Sequence, residues 1–381
     1  MIGVSTRVCL LLLAGLAPAS VLAATLKIGV VTSLSGPASA LGIPYEKGIR
    51  AAQAQWPVIA GRKVELVVLD DASDPTTAAR NARKLITEDK VDALIGTSGV
   101  PGTVAMAALA RELNVPLVAP TPISLPGAEN AWTITVSQPF ELMVSAAVKR
   151  MAASRVKTVA FIGFSDALGD LAYESLVKAA AGAGIQVVAD ERYARADQSV
   201  TGQVLKIVAK RPDAVFAGNS GTPGALPYVA LAERGYRGQI YGTHGLLNPD
   251  FVRIGGPAIE GLQVPSGSVL VADQLPADDP IRKVSMDFRR AYQKVHGAPP
   301  SDAFSAYTYD AFLVVADAAA RAKGEPGTPA FRAALKDAVL ATRGLTGTHG
   351  VYTFGPDSRY GSDERGIVVV RMSQGQWRLA R

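Results

Sequence analysis

The stretch VDALIGTSGVPGTVAMAALARELNVPLVAP, residues 91–120, contains two successive strand–loop units. Val91–Ile95 is a short apolar run that ends at a glycine, which predicts a strand buried on both faces. The loop Gly96–Thr103 is rich in glycine and proline, and a helix of small residues follows it. Val115–Pro120 is predicted to be the next buried strand, and it leads into the polar turn Thr121–Ser124.

Both loops follow the carboxyl ends of predicted parallel strands. That edge of an open α/β sheet is where ligands bind. A helix N-terminus with free N–H groups, beside serine or threonine side chains, favours an anion there. The alternative interpretation is that these loops only cap the helices that follow them. Patterns in the rest of the chain distinguish ligand-binding loops from loops that only cap helices.

The composition of the chain indicates a folded globular protein. Of its 381 residues, 48% are hydrophobic and 19% are charged, and this length allows roughly two to three domains. The formal net charge is +6, but Lys and Arg alternate with Asp and Glu and form no arginine-rich run. We therefore expect a solvated surface and no nucleic-acid partner.

Residues 1–24 differ from the remainder of the chain. An arginine precedes the apolar run Val8–Leu16, and small residues follow the run. This pattern predicts a secretory signal peptide that is cleaved after Ala23 or Ala24. The one cysteine, Cys9, lies within the run, so we expect a mature chain without disulfides whose stability depends on its core. No later stretch reaches about 18 unbroken apolar residues, so we expect the mature protein to be soluble.

Strand and helix patterns alternate along two βα series, which the extended stretch Ala131–Pro139 separates as a linker. Alternation of this kind predicts an α/β fold with two Rossmann-like lobes and parallel sheets. The first lobe is predicted to comprise residues 25–138 and 267–345. The second is predicted to comprise residues 139–266 and 346–381. The carboxyl-end loops of the two lobes should face each other across a cleft.

Three further segments carry strand patterns in the C-terminal third of the chain. Gly261–Val271 is predicted to be a strand that crosses back to the first lobe. Val351–Phe354 and Gly366–Met372 are predicted to pair with each other near the end of the chain.

The sequence contains no common catalytic or metal-binding motif. Nucleophile elbows, Walker A loops, dinucleotide fingerprints and His-Glu-x-x-His helices are all absent. The three histidines do not stand at metal-ligand spacing, so we expect neither a metal nor a cofactor. Asp70, Asp71 and Asp74 form an acidic group, which a strand-end turn and a helix cap explain better than a divalent ion does.

Several segments resemble one known family. They are LKIGVVTSLSGPASALG from residue 26, GRKVELVVLDDASDP from residue 61, ARKLITEDKVDALIGTSG from residue 82 and VPLVAP from residue 115. They look like the substrate-binding proteins of branched-chain amino-acid ABC importers, the leucine/isoleucine/valine-binding type of class I periplasmic binding protein. QWPVIAGR departs from the family, which usually has Glu-Ile-Asn and paired glycines before this arginine.

The resemblance implies a fold and a set of site residues. It implies two lobes joined by three hinge crossovers, a ligand between them, closure on binding, and no catalysis. In the family, loops that match Thr97–Thr103 and Pro120–Ile123 hold the ligand carboxylate and α-amino group. Leu168 stands in the turn Asp166–Gly169, where the family has a tyrosine. The candidate ligand-binding residues are Ser35, Ser98, Gly99, Val100, Thr103, Thr121, Ile123, Leu168, Asn219, Ser220 and His244.

His244 is the sharpest departure from the family pattern. In amino-acid binders a glutamate commonly stands in this turn and pairs with the ligand ammonium. A buried ammonium without a carboxylate partner is unfavourable by on the order of several kcal/mol. Histidine can donate to an anion but offers no negative charge to a cation. We therefore expect an aromatic or aliphatic carboxylic acid without an α-amino group.

One alternative remains for the ligand and one for the function. In the alternative for the ligand, His244 is a turn residue that points to solvent, and another acid pairs with the ammonium of a branched-chain amino acid. The expected function is solute capture in the periplasm and delivery to an inner-membrane ABC permease, by a protein that we expect to be a monomer. A sensory protein that reports to a receptor is the alternative, and the missing nucleophile motif argues against a secreted hydrolase.

Overall fold

The computed structural model describes residues 25–127, 131–356 and 358–380. The predicted signal peptide lies outside the described residues. Two sheets, both largely parallel and both covered by helices, form the expected two-lobed α/β fold. Of the helices in these ranges, none is long and apolar enough to cross a membrane.

The first sheet has six strands. They are β1 (Thr25–Thr32), β2 (Val58–Ile59), β3 (Arg62–Asp70), β4 (Ala93–Gly96), β5 (Leu117–Ala119) and β6 (Thr133–Thr135). Their order is β2-β3-β1-β4-β5-β6, and all neighbours are parallel except β2 and β3. The helices between them are α1 (Ser39–Gln55), α2 (Pro75–Thr87) and α3 (Val100–Glu112).

The second sheet begins after β6. Its first strands are β7 (Thr158–Phe164), β8 (Gln186–Tyr193), β9 (Ala214–Gly218), β10 (Gln239–Gly242) and β11 (Gln263–Ser266). The helices of this region are α4 (Phe140–Ala153), α5 (Ala167–Gly182), α6 (Thr201–Ala209), α7 (Leu226–Glu233) and α8 (Pro249–Gly255). The strands β11-β10-β9-β7-β8 are all parallel, so their carboxyl ends meet at one edge.

The chain then returns to the first sheet and crosses once more. The returning elements are α9 (Pro280–His296), α10 (Phe304–Arg321), α11 (Pro329–Leu340), β12 (Leu345–Thr346) and β13 (Val351–Tyr352). Helices α9 and α10 both pack against α1. Finally β14 (Val368–Ser373) and β15 (Gln376–Leu379) add antiparallel strands beside β11 and complete seven strands.

The chain passes between the sheets three times, as the fold prediction requires. The passages are residues 136–139, 267–279 and 353–367. The Gln138 side chain ties two of them together, because its Nε2 donates to the carbonyls of His349 at 3.2 Å and Gly366 at 2.8 Å. A lobe boundary between residues 345 and 346 would divide the β12–β13 hairpin, so we propose that the last boundary falls after Tyr352.

Three predictions about strands were wrong. Residues 131–139 are not only a linker, because Thr133–Thr135 pairs with β5 as the edge strand of the first sheet. Val351 pairs with Thr346, and β14 pairs with β11 and β15, so the predicted strand pair does not exist. Only Gln263–Ser266 of the predicted crossing strand is extended, and a 3₁₀ helix follows it at Val269–Gln274.

The residue pattern alone predicts a helix at Tyr45–Gln55, whereas helix α1 begins at Ser39. Gly42 and Pro44, within the early part of the helix, are residues typical of loops. In the structure a Cβ at Gly42 would lie 1.9 Å from the carbonyl oxygen of Ser33, and Thr32 Oγ1 donates to the Gly42 carbonyl at 3.0 Å. Close packing on the end of β1 therefore requires glycine at this position and fixes the helix there.

Candidate functional site

A cleft lies where the carboxyl ends of the two sheets face each other. It is lined by Leu41, Tyr45, Ser98, Gly99, Val100, Thr121, Pro122, Leu168, Ser220, Thr243, His244, Gly245 and Phe304. We call the residues that follow β4 and β5 (98–100 and 121–122) the first wall. Those that follow β9 and β10 (220 and 243–245) form the second wall.

Protein groups already satisfy the hydroxyls of the first wall. Ser98 Oγ lies 2.8 Å from Thr32 Oγ1 and accepts a hydrogen bond from the Ser33 N–H at 3.0 Å. Thr121 Oγ1 donates to the Thr97 carbonyl at 2.6 Å. These bonds hold the polar side chains of the first wall in fixed positions before any ligand arrives.

Asp71, at 2% exposure, anchors the first wall from behind. Its Oδ1 accepts hydrogen bonds from Ser33 Oγ at 2.6 Å and from the Ser73 N–H at 2.8 Å. Thr97 Oγ1 donates to its other oxygen. A carboxylate that accepts three hydrogen bonds is well compensated for burial. Asp71 therefore holds the turns around the first wall together.

The N-terminus of α3 reaches the cleft at Gly99 and Val100. The helix begins at Val100, whereas the sequence predicted a loop as far as Thr103. Proline is favoured in the first turn of a helix, which explains the early start at Val100-Pro101. Thr103 therefore lies on the helix, and its Oγ1 donates back to the Gly99 carbonyl at 2.9 Å.

The two turns of the second wall are joined to each other. Thr243 Oγ1 donates to the Asn219 carbonyl at 2.5 Å, and the Gly221 N–H donates to the Gly245 carbonyl at 2.8 Å. A Cβ at Gly245 would lie 2.5 Å from Cβ of Ser220, so only glycine fits this close approach. These contacts hold the backbone of the second wall in place, as hydrogen bonds hold the first wall.

His244 is buried in the second wall, with 7% of its surface exposed. Its ring stands edge-on to Phe140 and Tyr307, with ring centroids 6.0 Å apart in both pairs. Nδ1 is buried and has no hydrogen-bond partner in the described part of the chain. Burial lowers the pKa of His244 to about 4, so the imidazole is neutral at neutral pH. The alternative in which it points to solvent is therefore wrong.

The remaining lining is mostly apolar. Tyr45 and Phe304 stand edge-on with ring centroids 6.0 Å apart. The Tyr45 hydroxyl lies 3.3 Å from Thr121 Oγ1, which joins this aromatic pair to the first wall. Burial raises the pKa of Tyr45 above its ordinary value, so the phenol remains a neutral hydrogen-bonding group. Leu41 and Leu168 complete the apolar surface.

Among residues 25–127, 131–356 and 358–380, no Asp, Glu, Lys or Arg lines this cleft. Asp166 lies close by, but Leu168 and Gly169 donate their N–H groups to its Oδ1 at 2.9 and 3.3 Å. Its Oδ2 pairs with Arg195 at 2.6 Å. The described residues also contain no cluster of His, Cys, Asp or Glu suited to a metal ion.

Most of the predicted site residues do line the cleft. They are Ser98, Gly99, Val100, Thr121, Leu168, Ser220 and His244. Leu168 does so from the first turn of α5 and not from the predicted turn, because Asp166 caps the helix there.

Four predicted residues lie elsewhere. Thr103, Ile123 and Asn219 are buried but do not line the cleft. Asn219 Nδ2 donates to the Tyr193 hydroxyl at 2.9 Å. Ser35 is exposed, and its hydroxyl donates to Asp70 Oδ2 at 2.7 Å, so it closes a loop outside the cleft.

The sequence prediction did not include six lining residues. They are Leu41, Tyr45, Pro122, Thr243, Gly245 and Phe304. Pro122, Thr243 and Gly245 lie in turns that the sequence had already placed at strand ends. Leu41 and Tyr45 are four residues apart on α1, a spacing that places them on one helix face. That signal was available only if the helix was known to begin before Gly42. Phe304 had no local signal.

The chain belongs to the periplasmic binding protein family, whose sequence profile matches residues 25–375. An extracellular ligand-binding receptor from Rhodopseudomonas palustris HaA2 is 37% identical, with a TM-score of 0.90 and coverage of 94% of this chain and 100% of the other. A Leu/Ile/Val-binding protein of Rhizobium johnstonii is 25% identical over 86% of this chain and 87% of its own length.

A solute-binding protein from Rhodopseudomonas palustris, solved in complex with benzoate, is 23% identical with a TM-score of 0.78. The match covers 93% of this chain and 95% of that protein. At this level of identity the likeness shows the fold alone. The family comprises solute-binding proteins of the branched-chain amino-acid transporter type and is not a class of enzymes.

Proposed function

We propose that the protein is the periplasmic solute-binding component of an ABC importer and that it binds a small carboxylic acid without an α-amino group. One observation carries the proposal: a cleft with the Ser220 hydroxyl, the N-terminus of α3 and a neutral histidine, but without a lining carboxylate among the described residues. An anion finds hydrogen-bond donors there, whereas an ammonium finds no negative partner. Export by the N-terminal signal peptide and delivery to an inner-membrane permease are parts of the same proposal.

The apolar lining supports an acid with a hydrophobic body. Tyr45, Phe304, Leu41 and Leu168 line the cleft together with the polar turns. Burial of apolar ligand surface against such residues supplies most of the affinity of small-molecule sites, while a few polar groups fix orientation. The benzoate complex of the Rhodopseudomonas palustris protein illustrates that this fold can enclose an acid that lacks an amino group.

The second candidate is an ordinary branched-chain amino acid. It is favoured by the Rhizobium johnstonii relative, a Leu/Ile/Val-binding protein. It requires a carboxylate for the ammonium, and the nearby Asp166 already pairs with Arg195 and caps α5. For this reason we place the amino acid second.

A calorimetric titration of the ligand-free protein with leucine and with 4-methylpentanoate tests the proposal. The two compounds differ only in the amino group. We expect tighter binding of 4-methylpentanoate or of benzoate than of leucine. Tighter binding of leucine would show that the cleft accepts an ammonium and that the amino-acid candidate is correct.

The variant His244→Glu provides the matching gain-of-function test. It places a carboxylate in the second wall, so leucine affinity should rise while acid affinity falls. His296→Glu is the control, because His296 lies outside the cleft and contacts the Lys47 carbonyl. Equal responses of the two variants would contradict the role given to His244.

A further inference from the structure

Arg195 lies directly behind the second wall. Its guanidinium stacks over the ring of Phe164 at 4.2 Å, and its Nε donates to Asp166 Oδ2 at 2.6 Å. Its Nη1 donates to Ser220 Oγ at 3.3 Å. Nη2 is buried and has no hydrogen-bond partner within the described ranges. A fixed guanidinium with one unsatisfied nitrogen is unfavourable in the free protein, which indicates that a further acceptor belongs there.

The bond from Arg195 determines what Ser220 can recognise. Ser220 lines the cleft and is 7% exposed. Because its oxygen already accepts an N–H from the guanidinium, its hydroxyl hydrogen remains to be donated into the cleft. Hydrogen bonds in a chain polarise one another, so the cation behind strengthens Ser220 as a donor. Ser220 therefore favours an acceptor, and an anionic acceptor most of all.

Asp166 does not cancel this effect on the cleft side. Its carboxylate binds the Nε edge of Arg195 and is shared with the N–H groups of Leu168 and Gly169 at the start of α5. A different nitrogen of the guanidinium, Nη1, contacts Ser220. Arg195 also borders a second cavity, which shares the lining residue Gly99 with the cleft. The ion pair is thus a dipole whose positive end is directed at the ligand site.

We infer that Arg195 is the charge-determining residue of the cleft and that, positioned behind Ser220, it selects a carboxylate over a neutral group of the same shape. The inference rests on the proposed function only in requiring a carboxylate-bearing ligand. It holds for an acid without an amino group and for an amino acid alike.

The experiment measures dissociation constants for two matched pairs, benzoate with benzamide and leucine with leucinamide. In each pair a carboxylate is replaced by a neutral amide. We expect the wild-type protein to prefer the carboxylate, and Arg195→Met to lower its affinity by roughly 10- to 100-fold while the affinity for the amide changes little. Arg195→Lys keeps the charge without the planar fork and should retain part of the preference.

Arg192→Met is the matched control. Arg192 belongs to the neighbouring strand β8, and its side chain is 25% exposed against 21% for Arg195. It also stacks on aromatic rings, those of Phe161 and Tyr173, and it pairs with acids outside the cleft. Loss of the Arg192 side chain should alter stability without altering the ratio of carboxylate affinity to amide affinity. This control separates a general packing effect from a charge effect.

The outcomes distinguish the two proposals. An unchanged ratio in Arg195→Met overturns the inference, whichever pair is used. Binding of leucine without binding of benzoate overturns the proposed ligand class, while the leucine pair still tests Arg195. Equal affinity of the wild-type protein for carboxylate and amide overturns the inference, and failure to bind either carboxylate overturns both proposals. Thermal unfolding of each variant confirms that it is folded before its ratio is interpreted.

Discussion

The two walls of the cleft are alike in origin but differ in how their polar groups are satisfied. Both consist of turns at the carboxyl ends of parallel strands. In the first wall, the hydroxyls of Ser98 and Thr121 are bonded to other protein groups. In and behind the second wall, His244 Nδ1, Asn219 Oδ1 and Arg195 Nη2 are buried without partners in the described chain.

This difference separates stability from recognition. Satisfied groups stabilise the free protein, whereas unsatisfied buried groups destabilise it until a ligand supplies the missing partner. Local violations of good packing are expected where function requires them. We infer that the first wall is a preformed part of the binding site and that the second wall determines which ligand binds.

The difference between the two walls also affects how the two lobes close around a ligand. The second wall approaches the first lobe at Gly221, where a Cβ would lie 3.1 Å from Leu41 Cδ1. A ligand seated on the first wall and bonded to the second contacts both lobes at once. Differential contacts of this kind favour the closed arrangement of a hinged protein.

Removing the anchor of the first wall should have the largest effect. Asp71→Ala leaves the donors of Ser33, Thr97 and Ser73 without an acceptor, each costing about 1–3 kcal/mol. We expect the free energy of unfolding in urea to fall by roughly 3–5 kcal/mol. Asp74→Ala is the control, because Asp74 is exposed, caps α2 through the Thr77 N–H and should lose much less stability than Asp71→Ala does. Equal losses would contradict the anchoring role.

The second wall should respond to pH in a way that the first does not. An unfolded imidazole binds a proton near pH 6.5, whereas the native His244 binds one only near pH 4. Between these values the unfolded chain holds a proton that the native chain does not. The contribution to stability is therefore fully present above pH 6.5 and is lost as the pH falls towards 4. We expect a loss on the order of 3 kcal/mol.

His244→Leu isolates this effect. The variant should be at least as stable as the wild-type protein at neutral pH, because it removes a buried nitrogen without a partner. It should lack the acid-induced loss that is due to His244. Burial keeps the pKa of His349 low in both proteins, and the variant removes only the smaller lowering of that pKa that His244 causes. Urea unfolding at neutral pH and near pH 4 measures the difference. Parallel pH profiles would show that His244 is not buried and neutral.

The sequence predicted the centres of the sheets well and their edges poorly. β4 and β5 overlap the predicted strands Val91–Ile95 and Val115–Pro120, because each is part of a short apolar run. Thr133–Thr135 and Val351–Tyr352 are three and two residues long, and each pairs with an equally short strand, β5 and β12. Runs this short contain too little pattern to show which strand is the partner.

The residues at and behind the cleft also divide into those that the sequence predicted and those that it did not. Ser98, Thr121, Ser220 and His244 were predicted because they follow strands, or stand where the family has ligand-binding residues. Arg195 was not singled out, because its importance arises from contacts with two other loops. Strand-end position is a property of the sequence, whereas an unsatisfied buried nitrogen is a property of the folded molecule.

The smallest expected effect compares one serine from each wall. Ser98→Ala removes the acceptor of the Ser33 N–H and should lower the free energy of unfolding by about 1–2 kcal/mol. Ser220→Ala removes only a long bond from Arg195 and should change stability by less than about 0.5 kcal/mol. For binding of a carboxylate, measured by calorimetry, we expect Ser220→Ala to lose the affinity that depends on Arg195. If Ser220→Ala destabilises the free protein as much as Ser98→Ala does, then the second wall is also a structural element, and the separation of stability from recognition fails.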